Sequence, residues 1–317
     1  MQVECKDRRL GERVIGAIED CFFMTRNGSI SNSPDITLRF ERENSLFKVP
    51  ERAQVLCDSP SLRVLQDGDF CYLVRGNSIF KLNLACSRGN GSIDPHFWES
   101  PPKYQQEFLM LSLLWLFRNH GLYALHANGL VKDDFGILFL GGSGSGKSTA
   151  ALSLIRQGWG YLSDDVNLIR HRSDGIEALA FQKGFSFDPH LSVLYPDLDN
   201  PMVPHSLNGH KRFLDINLLY PDGHLNSCFP RVLIFPKIVS QGKSHISQIE
   251  KSKGLIMLIE NSGGIMLDKA IVAMQIEILK LLVSQTDCYQ LFAGRDLYEE
   301  PEKITEVLSG IVPRPKE

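Results

Sequence analysis

Residues 136–165 decide the fold, and they read GILFLGGSGSGKSTAALSLIRQGWGYLSDD. The apolar run GILFL predicts a buried strand, and STAALSLIRQ predicts a helix that ends at Gly158. Between them, residues 141–148 match the spacing G-x-x-x-x-G-K-[ST] in full, in the strand–loop–helix context that this motif requires. The stretch therefore predicts an α/β domain with a phosphate-binding loop.

The loop also predicts the cofactors. Its glycines allow backbone N–H groups to turn inward as an anion nest, and the N-terminus of the following helix adds partial positive charge. The motif's lysine, Lys147, reaches the β- and γ-phosphates, and the Ser148 hydroxyl binds Mg²⁺. We expect Lys147 to face solvent until phosphate arrives. A nucleoside triphosphate and Mg²⁺ are therefore predicted to bind here, and the predicted nucleotide-binding residues are Gly141, Gly142, Ser143, Gly144, Ser145, Gly146, Lys147, Ser148 and Thr149.

An acidic pair follows the loop closely, since Asp164 comes 17 residues after Lys147. One helix and one strand fill that interval. Strands joined by such a crossover run parallel, so their carboxyl ends lie at the edge of the sheet where ligands bind. We expect Asp164 and Asp165 to emerge beside the triphosphate with their side chains pointing in opposite directions.

Other nucleotide-binding classes fit the sequence less well. A Ras-like GTPase needs an Asn-Lys base-reading motif, and the chain contains no Asn-Lys pair. An ABC ATPase needs a signature such as LSGGQ, but LSG occurs only at residues 308–310. A carboxykinase needs an arginine for a dicarboxylate and Lys/His ligands for a second metal, and none can be assigned. Two classes stay open: a kinase acting on a hydroxyl acceptor, which a family resemblance of residues 125–165 implies, and an ATP-binding regulatory or scaffold protein that transfers no phosphate.

The rest of the chain predicts a second, smaller domain. Residues 35–86 read as a meander of short strands split by DGD and RGN turns, and a Gly/Ser/Asn/Pro-rich stretch over 86–95 follows. We place a β-rich N-terminal domain at 1–100 and the catalytic domain at 101–317. The catalytic domain is expected to begin with a buried helix over 105–119 that Gly121 caps.

Composition bounds the partners and the compartment. Hydrophobic residues make up 43% and charged residues 22%, and the net charge of −3 without a basic run predicts neither nucleic acid nor a membrane as a partner. The most apolar run, residues 108–117, is far shorter than the about 20 residues that span a bilayer. Seven cysteines without a C-x-x-C pair, and an N-terminus without an apolar signal core, favour a cytoplasmic protein. A homo-oligomer is left open.

The segment LHANGLVKDDFGILFLGGSGSGKSTAALSLIRQGWGYLSDD, residues 125–165, resembles the catalytic domain of the HPr kinase/phosphorylase family. The family pattern is a histidine on a strand, the loop fifteen residues later, a helix closed by glycine and a strand ending in Asp-Asp. Here these parts are His126, Gly141, Gly158, Asp164 and Asp165. The resemblance implies an α/β P-loop kinase domain of the type shared with ATP-dependent phosphoenolpyruvate carboxykinase.

The resemblance also implies a reaction, the transfer of the γ-phosphoryl group of ATP to a hydroxyl. It implies that Asp164 is the general base for the acceptor and that Asp165 joins Ser148 at Mg²⁺. His126 lies beside the acidic pair, and Asp164, His126 and Lys147 are the implied catalytic residues. Thr149 stands where the family's protein kinases usually carry a metal-binding glutamate. The acceptor is therefore left as a serine of a peptide or protein, or a small molecule.

Some cations and histidines are weaker candidates. Lys211 and Arg212 lie in a polar segment and have the charge to clamp phosphate oxygens. Lys183 and Arg295 are further candidates for the same role. No metal site is predicted around the two histidines of that segment, His205 and His210, because no third ligand shares their spacing.

Overall fold

The structure is a computed structural model that describes residues 1–22, 36–42, 48–59, 62–199, 205–208, 211–215, 218–240, 242–262 and 269–312. The chain divides into two compact units, Met1–Tyr123 and Ala124–Glu317. The sequence-based boundary at residue 100 falls inside the first unit. Within the described residues, no helix combines the length and the apolar character needed to cross a membrane.

The first unit is built on one sheet. Its described strands and helices are β1 (Gln2–Cys5), α1 (Arg8–Cys21), β2 (Thr37–Arg42), β3 (Gln54–Asp58), β4 (Arg63–Asp67), β5 (Phe70–Arg75), β6 (Ser78–Asn83), β7 (Arg88–Ile93) and α2 (Pro102–Phe117). The strands lie in the order β1-β2-β7-β6-β5-β4-β3. β2 is parallel to both β1 and β7, and the other neighbours are antiparallel. Strands β3–β6 therefore form the predicted meander on one side of the sheet, but β2, which the prediction included, lies apart from them between β1 and β7.

Strand β7 corrects the interpretation of residues 86–95 as a loop at a domain boundary. Its glycines are needed where aromatic rings from neighbouring strands approach the backbone. A Cβ atom added to Gly91 would lie 2.6 Å from Phe40 Cδ1 and 2.8 Å from Phe80 Cδ2. Glycines that read as linker residues in the sequence thus allow close packing inside a sheet.

Helix α2 also lies in the first unit, because its apolar side chains pack on β5, β6 and β7. The sequence predicted this helix over 105–119 and assigned it to the catalytic domain. It begins earlier, and it ends in a short 3₁₀ turn over Arg118–His120. Gly121 follows with φ of 69°, the left-handed conformation expected of a C-terminal glycine cap, so the predicted cap is confirmed.

The second unit alternates strands and helices. Its described strands are β8 (Tyr123–Lys132), β9 (Phe135–Leu140), β10 (Gly160–Tyr161), β11 (Val166–Arg172), β12 (Gly175–Ala180), β13 (Gly184–Phe187), β14 (His205–Asn208), β15 (Lys211–Asp215), β16 (Ser227–Cys228), β17 (Pro230–Ile238), β18 (His245–Gln248) and β19 (Asp287–Ala293). Its described helices are α3 (Lys147–Arg156), α4 (Leu191–Leu194), α5 (Lys251–Ser262), α6 (Lys269–Gln285), α7 (Arg295–Glu299) and α8 (Ile304–Leu308).

The main sheet of this unit is mixed, with the order β16-β12-β11-β8-β9-β17-β19-β18 and β10 paired to β8. β9, β17 and β19 run parallel at its centre. Five of the six β9 residues are buried, which explains why the strand reads as a continuous apolar run. A smaller sheet has the order β13-β15-β14. The predicted α/β class is thus confirmed as a mixed α/β arrangement.

A tight hairpin joins β8 to β9. Its two loop residues, Asp133 and Asp134, have φ of 48° and 62°, as a two-residue type I′ turn requires. The hairpin places β8 between β9 and the chain that follows α3, where the Ala127 and Gly129 N–H groups donate to the carbonyls of Asp165 and Ser163, at 3.1 Å each. This chain runs antiparallel to β8 and therefore in the direction of β9, as the crossover predicted. Only β10 is a strand there, so the acidic pair lies in the connection from β10 to β11 and not at the end of a regular strand.

Candidate functional site

The glycine-rich loop, residues 141–146, connects the carboxyl end of β9 to the N-terminus of α3. Gly144 and Gly146 have φ of 80° and 98°, conformations that side-chain-bearing residues rarely adopt. Gly146 is also the N-terminal cap of α3, so the first N–H groups of the helix open towards the space in front of the loop. Local sequence thus fixes both the turn and the direction of these donors.

Lys147 is buried, with 5% of its surface exposed, and the expectation that it faces solvent was wrong. Its Nζ donates hydrogen bonds to the carbonyl oxygens of Gly141 at 2.5 Å and Gly142 at 3.2 Å. The ammonium group thus supplies a donor to the Gly141 carbonyl and a second donor to the Gly142 carbonyl, which also accepts from Ser145 N at 3.3 Å. In this state the lysine stabilises the loop from within.

Asp164 lies behind the loop with 1% of its surface exposed. Its Oδ2 accepts a hydrogen bond from Ser186 N at 2.7 Å, and its Oδ1 accepts one from Asn128 Nδ2. The Ser148 hydroxyl donates to the same Oδ1 at 3.4 Å. Both carboxylate oxygens are therefore held in place, and one of them lies beside the hydroxyl that the sequence predicts as a metal ligand.

Asp165 has different surroundings. Its φ of 61° is left-handed, a conformation that aspartate tolerates better than most residues. The side chain is 34% exposed, and its Oδ1 lies 3.9 Å from His126 Nε2. The two neighbouring side chains therefore have different surroundings, since the carboxylate of Asp164 is buried and that of Asp165 is partly open to solvent.

A cleft of about 500 Å³ lies in front of the loop. His126 and Asp165 line it together with the loop and the start of α3. Its other wall consists of the end of β13, the residues in and around α4, and α7. His190 and Tyr298 stand in that wall, where their rings stack and Tyr298 Oη lies 2.7 Å from His190 Nε2. The structure therefore brings the predicted loop, His126 and Asp165 to one cleft, with Asp164 directly behind it.

A smaller apolar cavity of about 90 Å³ adjoins the same loop. Gly146, Thr149, Ile238 and Tyr298 line both this cavity and the cleft. Ile238 and Tyr298 are 62% and 60% exposed, so both present apolar surface that a bound molecule could cover. The remaining lining comes from α3, β17, β19, α7 and the chain up to α8: Ala150, Ser153, Pro236, Leu291, Ala293, Gly294, Leu297, Pro301 and Ile304.

The weaker candidates do not line the described part of the cleft. Arg212 forms an ion pair with Asp199 and donates to Ser192 Oγ at 3.2 Å. Arg295 pairs with Glu299 on the exposed face of α7. The side chains of Lys211 and His205, and the whole of His210, lie outside the described residues. Burial lowers the pKa of His224, and the nearby charge of Lys183 lowers it further.

Two groups in the site were missed by sequence reasoning. Asn128 had a usable signal, because it follows His126 by two residues on β8 and must share its face of the sheet. The Ser186 N–H group had none, since it is a backbone donor on β13, far along the chain from Asp164. Among the described residues, no cluster of three or more His, Cys, Asp or Glu side chains gathers as metal ligands.

The fold and the site define a mixed α/β protein with a cleft formed at a strand–glycine loop–helix junction. No family model matches the chain, and no curated protein matches it. Among solved structures, the chain is similar to the Hpr(Ser) kinase/phosphatase from Coxiella burnetii, at 16% sequence identity and a TM-score of 0.29, over 58% of this chain and 88% of that chain. This is a distant likeness from which no part of the chemistry is inferred, and the family resemblance of residues 125–165 stays a prediction.

Proposed function

We propose that this protein is an ATP-dependent phosphotransferase that acts on a hydroxyl acceptor. The observation that carries the proposal is that one glycine-rich loop adjoins two carboxylates in different surroundings. Asp164 is buried against Ser148, whereas Asp165 opens to the cleft beside His126. Nucleotide binding alone requires no carboxylate in an open cleft, but phosphoryl transfer to an alcohol requires a group that accepts the hydroxyl proton.

The phosphates of ATP are proposed to bind in front of residues 141–149. The loop N–H groups and the N-terminus of α3 supply donors and partial positive charge there. Lys147 Nζ already lies at the loop, so a small side-chain rotation away from the Gly141 and Gly142 carbonyls would bring it to the phosphates. Its positive charge then stabilises the charge that develops on the γ-phosphoryl group.

The apolar cavity is the proposed seat of the adenine base. It adjoins the loop at Gly146 and Thr149, so a nucleotide with its phosphates at the loop has its base within reach of this cavity. The exposed faces of Ile238 and Tyr298 would become buried against the ring. Burial of apolar surface stabilises by roughly 25 cal/mol per Å², so this contact adds affinity beyond that of the phosphates.

For the two carboxylates we propose roles opposite to those that the family resemblance implies. Ser148 Oγ and Asp164 Oδ1, 3.4 Å apart, are hard oxygen ligands of the kind that Mg²⁺ takes together with substrate phosphates and water. When bound there, Mg²⁺ would neutralise phosphate charge. Asp164 is a poor candidate for the base, since both its oxygens already accept hydrogen bonds.

Asp165 is the proposed base. An acceptor hydroxyl in the cleft would give its proton to the Asp165 carboxylate while its oxygen bonds to the γ-phosphorus, the bridging P–O bond breaks and ADP leaves. His126 Nε2, 3.9 Å from Asp165 Oδ1, is the proposed partner that orients this carboxylate. The open cleft between Asp165 and the α4 wall leaves room for the acceptor.

The test compares Asp165→Asn with Asp164→Asn. Mg-ATP affinity is measured by calorimetry, and transfer from radiolabelled ATP is measured with serine peptides, polyols and water as acceptors. We expect Asp165→Asn to keep Mg-ATP binding and to lose about 10²–10⁴ in transfer rate. We expect Asp164→Asn to lose the magnesium dependence of binding. The reverse pattern would restore the roles implied by the resemblance, and a parent protein that binds Mg-ATP but transfers to no acceptor would be the regulatory or scaffold alternative.

A further inference from the structure

We infer that Asn128 is a positioning residue that holds Asp164 in the orientation needed to bind Mg²⁺ together with Ser148. The inference rests on the proposed function. Nothing in the loop motif or in the acidic pair requires an asparagine at this place, and Asn128 does not line the described part of the cleft. Its effect on the reaction would therefore act through Asp164.

The position of Asn128 makes it an internal contact between the two halves of the site. It lies on β8 opposite Phe139 of β9, the strand that leads into the loop. On the other side of β8 runs the chain that carries the acidic pair, bonded to it through Ala127 and Gly129. Asn128 is fully buried, and its side chain donates from Nδ2 to Asp164 Oδ1.

The hydrogen bonds of Asp164 show why this donor matters. Ser186 N holds Oδ2, while Asn128 and Ser148 share Oδ1. The Ser148 hydroxyl reaches Oδ1 at 3.4 Å, near the limit of a hydrogen bond, whereas the Asn128 amide approaches it closely. Asn128 therefore supplies the closer of these two side-chain donors and fixes the direction in which Oδ1 points.

Burial of the amide also carries an energetic cost. Its Oδ1 is buried without a hydrogen-bond partner among the described groups. A buried polar atom without a partner is unfavourable, and an apolar residue of the same shape would avoid this penalty. The reversed amide orientation would set its oxygen against the Asp164 carboxylate, so the observed orientation is the one that the carboxylate selects. The contact to Asp164 is thus the favourable interaction that the buried amide gains.

The chain offers a matched control in Asn167. This residue is also an asparagine in a strand of the same sheet, is also fully buried, and also has a buried Oδ1 without a partner among the described groups. Its Nδ2, however, donates to the backbone oxygen of Ala127 at 2.6 Å. Replacing either residue by leucine removes a buried amide of the same shape, but only one replacement removes a donor to Asp164.

The experiment measures ATP affinity by calorimetry for the parent, Asn128→Leu and Asn167→Leu, each at increasing Mg²⁺ and in EDTA. Loss of a group that orients a metal ligand typically costs 10–100-fold in metal affinity. We expect Asn128→Leu to need about tenfold or more Mg²⁺ for half-maximal tightening of ATP binding, with its affinity in EDTA unchanged. Asn167→Leu should keep the parent's Mg²⁺ requirement, although it loses thermal stability.

An unchanged Mg²⁺ requirement in Asn128→Leu, or an equal shift in both variants, would overturn the inference. If either leucine variant fails to fold, the pair Asn128→Ser and Asn167→Ser gives the same comparison with smaller side chains. If the parent binds ATP in a magnesium-dependent way and Asn128→Leu behaves in the same way, only the positioning role is refuted. A parent that binds no Mg-ATP removes the proposed function and the inference with it.

Discussion

Replacing Asp164 by asparagine should destabilise the nucleotide-free protein, although the two side chains have almost the same shape. In the parent, Asn128 Nδ2 and Ser148 Oγ donate to Oδ1, and Ser186 N donates to Oδ2 at 2.7 Å. Asparagine offers one acceptor and one N–H₂ group, so with Asn128 and Ser186 as they stand either orientation turns a donor towards a donor. A flip of the Asn128 amide would leave its own N–H₂ group buried where its oxygen has no partner among the described groups. The substitution thus removes a charge-assisted hydrogen bond and leaves buried N–H groups facing each other.

The magnitude follows from these contacts. A hydrogen bond to a charged group contributes about 1.5–3 kcal/mol, and a buried donor left unsatisfied costs a further ~1–3 kcal/mol. Part of this loss is offset, because burying a charged carboxylate costs free energy that the neutral asparagine does not cost. We therefore expect a loss of about 2–3 kcal/mol in the free energy of unfolding, which for a unit of this size lowers the melting temperature by roughly 5–10 °C.

The measurement is calorimetric unfolding of the parent, Asp164→Asn and Asp165→Asn without nucleotide. Asp165 is the matched control, because its side chain is partly exposed and asparagine also tolerates its left-handed backbone. Its substitution should change the free energy of unfolding by at most about 0.5 kcal/mol. The reasoning fails if Asp164→Asn melts with the parent, or if both variants lose the same stability.

Three further outcomes are expected. Lys147→Ala should lose detectable Mg-ATP binding in calorimetry, since it removes the loop's cation and its bonds to the Gly141 and Gly142 carbonyls; unchanged affinity would exclude the loop as the phosphate site. Gly91→Ala should destabilise the first unit by about 1–3 kcal/mol in chemical unfolding, because its Cβ meets two phenylalanine rings, whereas Gly16→Ala in α1, with nothing within 4 Å, should not destabilise it. Ser244 donates to the Asp296 carboxylate from both its hydroxyl and its N–H, and these bonds, the hydroxyl's first, hold the pKa of Asp296 below its ordinary value of 3.8. A carboxyl group with a lowered pKa stabilises the fold when the pH is above its pKa in the unfolded protein, and this contribution is lost as the pH falls through its pKa in the folded protein. Asp296→Asn should therefore lose stability near neutral pH but not in acid. A loss of stability that does not depend on pH would contradict this.

The local part of the site could be predicted from the sequence, and the non-local part could not. The loop and the helix after it are set by neighbouring residues, and the close spacing of Asp164 and Lys147 placed the acidic pair near the loop. The contact between Asn128 and Asp164 depends on the antiparallel register of β8 against the chain after β10, which no local pattern specifies. The burial of Lys147 likewise depends on carbonyls that only the folded loop presents.

In the first unit, too, the elements set by local sequence were predicted and those set by distant contacts were not. The meander strands and the glycine cap of α2 follow from alternation and turn residues, and they were predicted. Strand β7 was missed, because glycine-rich sequence normally indicates a loop and its use here depends on Phe40 and Phe80 from other strands. The position of α2 depends on which sheet its apolar residues pack against, and the sequence alone does not choose between two sheets.

The hairpin of β8 and β9 has a consequence for the order in which the site is assembled. The described side chains that contact the acidic pair are those of His126, Asn128 and Ser148, which all precede it in the chain. The Ser186 N–H group follows soon after it. The apolar cavity needs β17, β19 and α7, which leave the ribosome more than sixty residues after Asp165. Short-range contacts form faster than long-range ones, and chains fold from the N-terminal side during synthesis. The nascent chain therefore builds the loop and its carboxylates first and completes the apolar wall last.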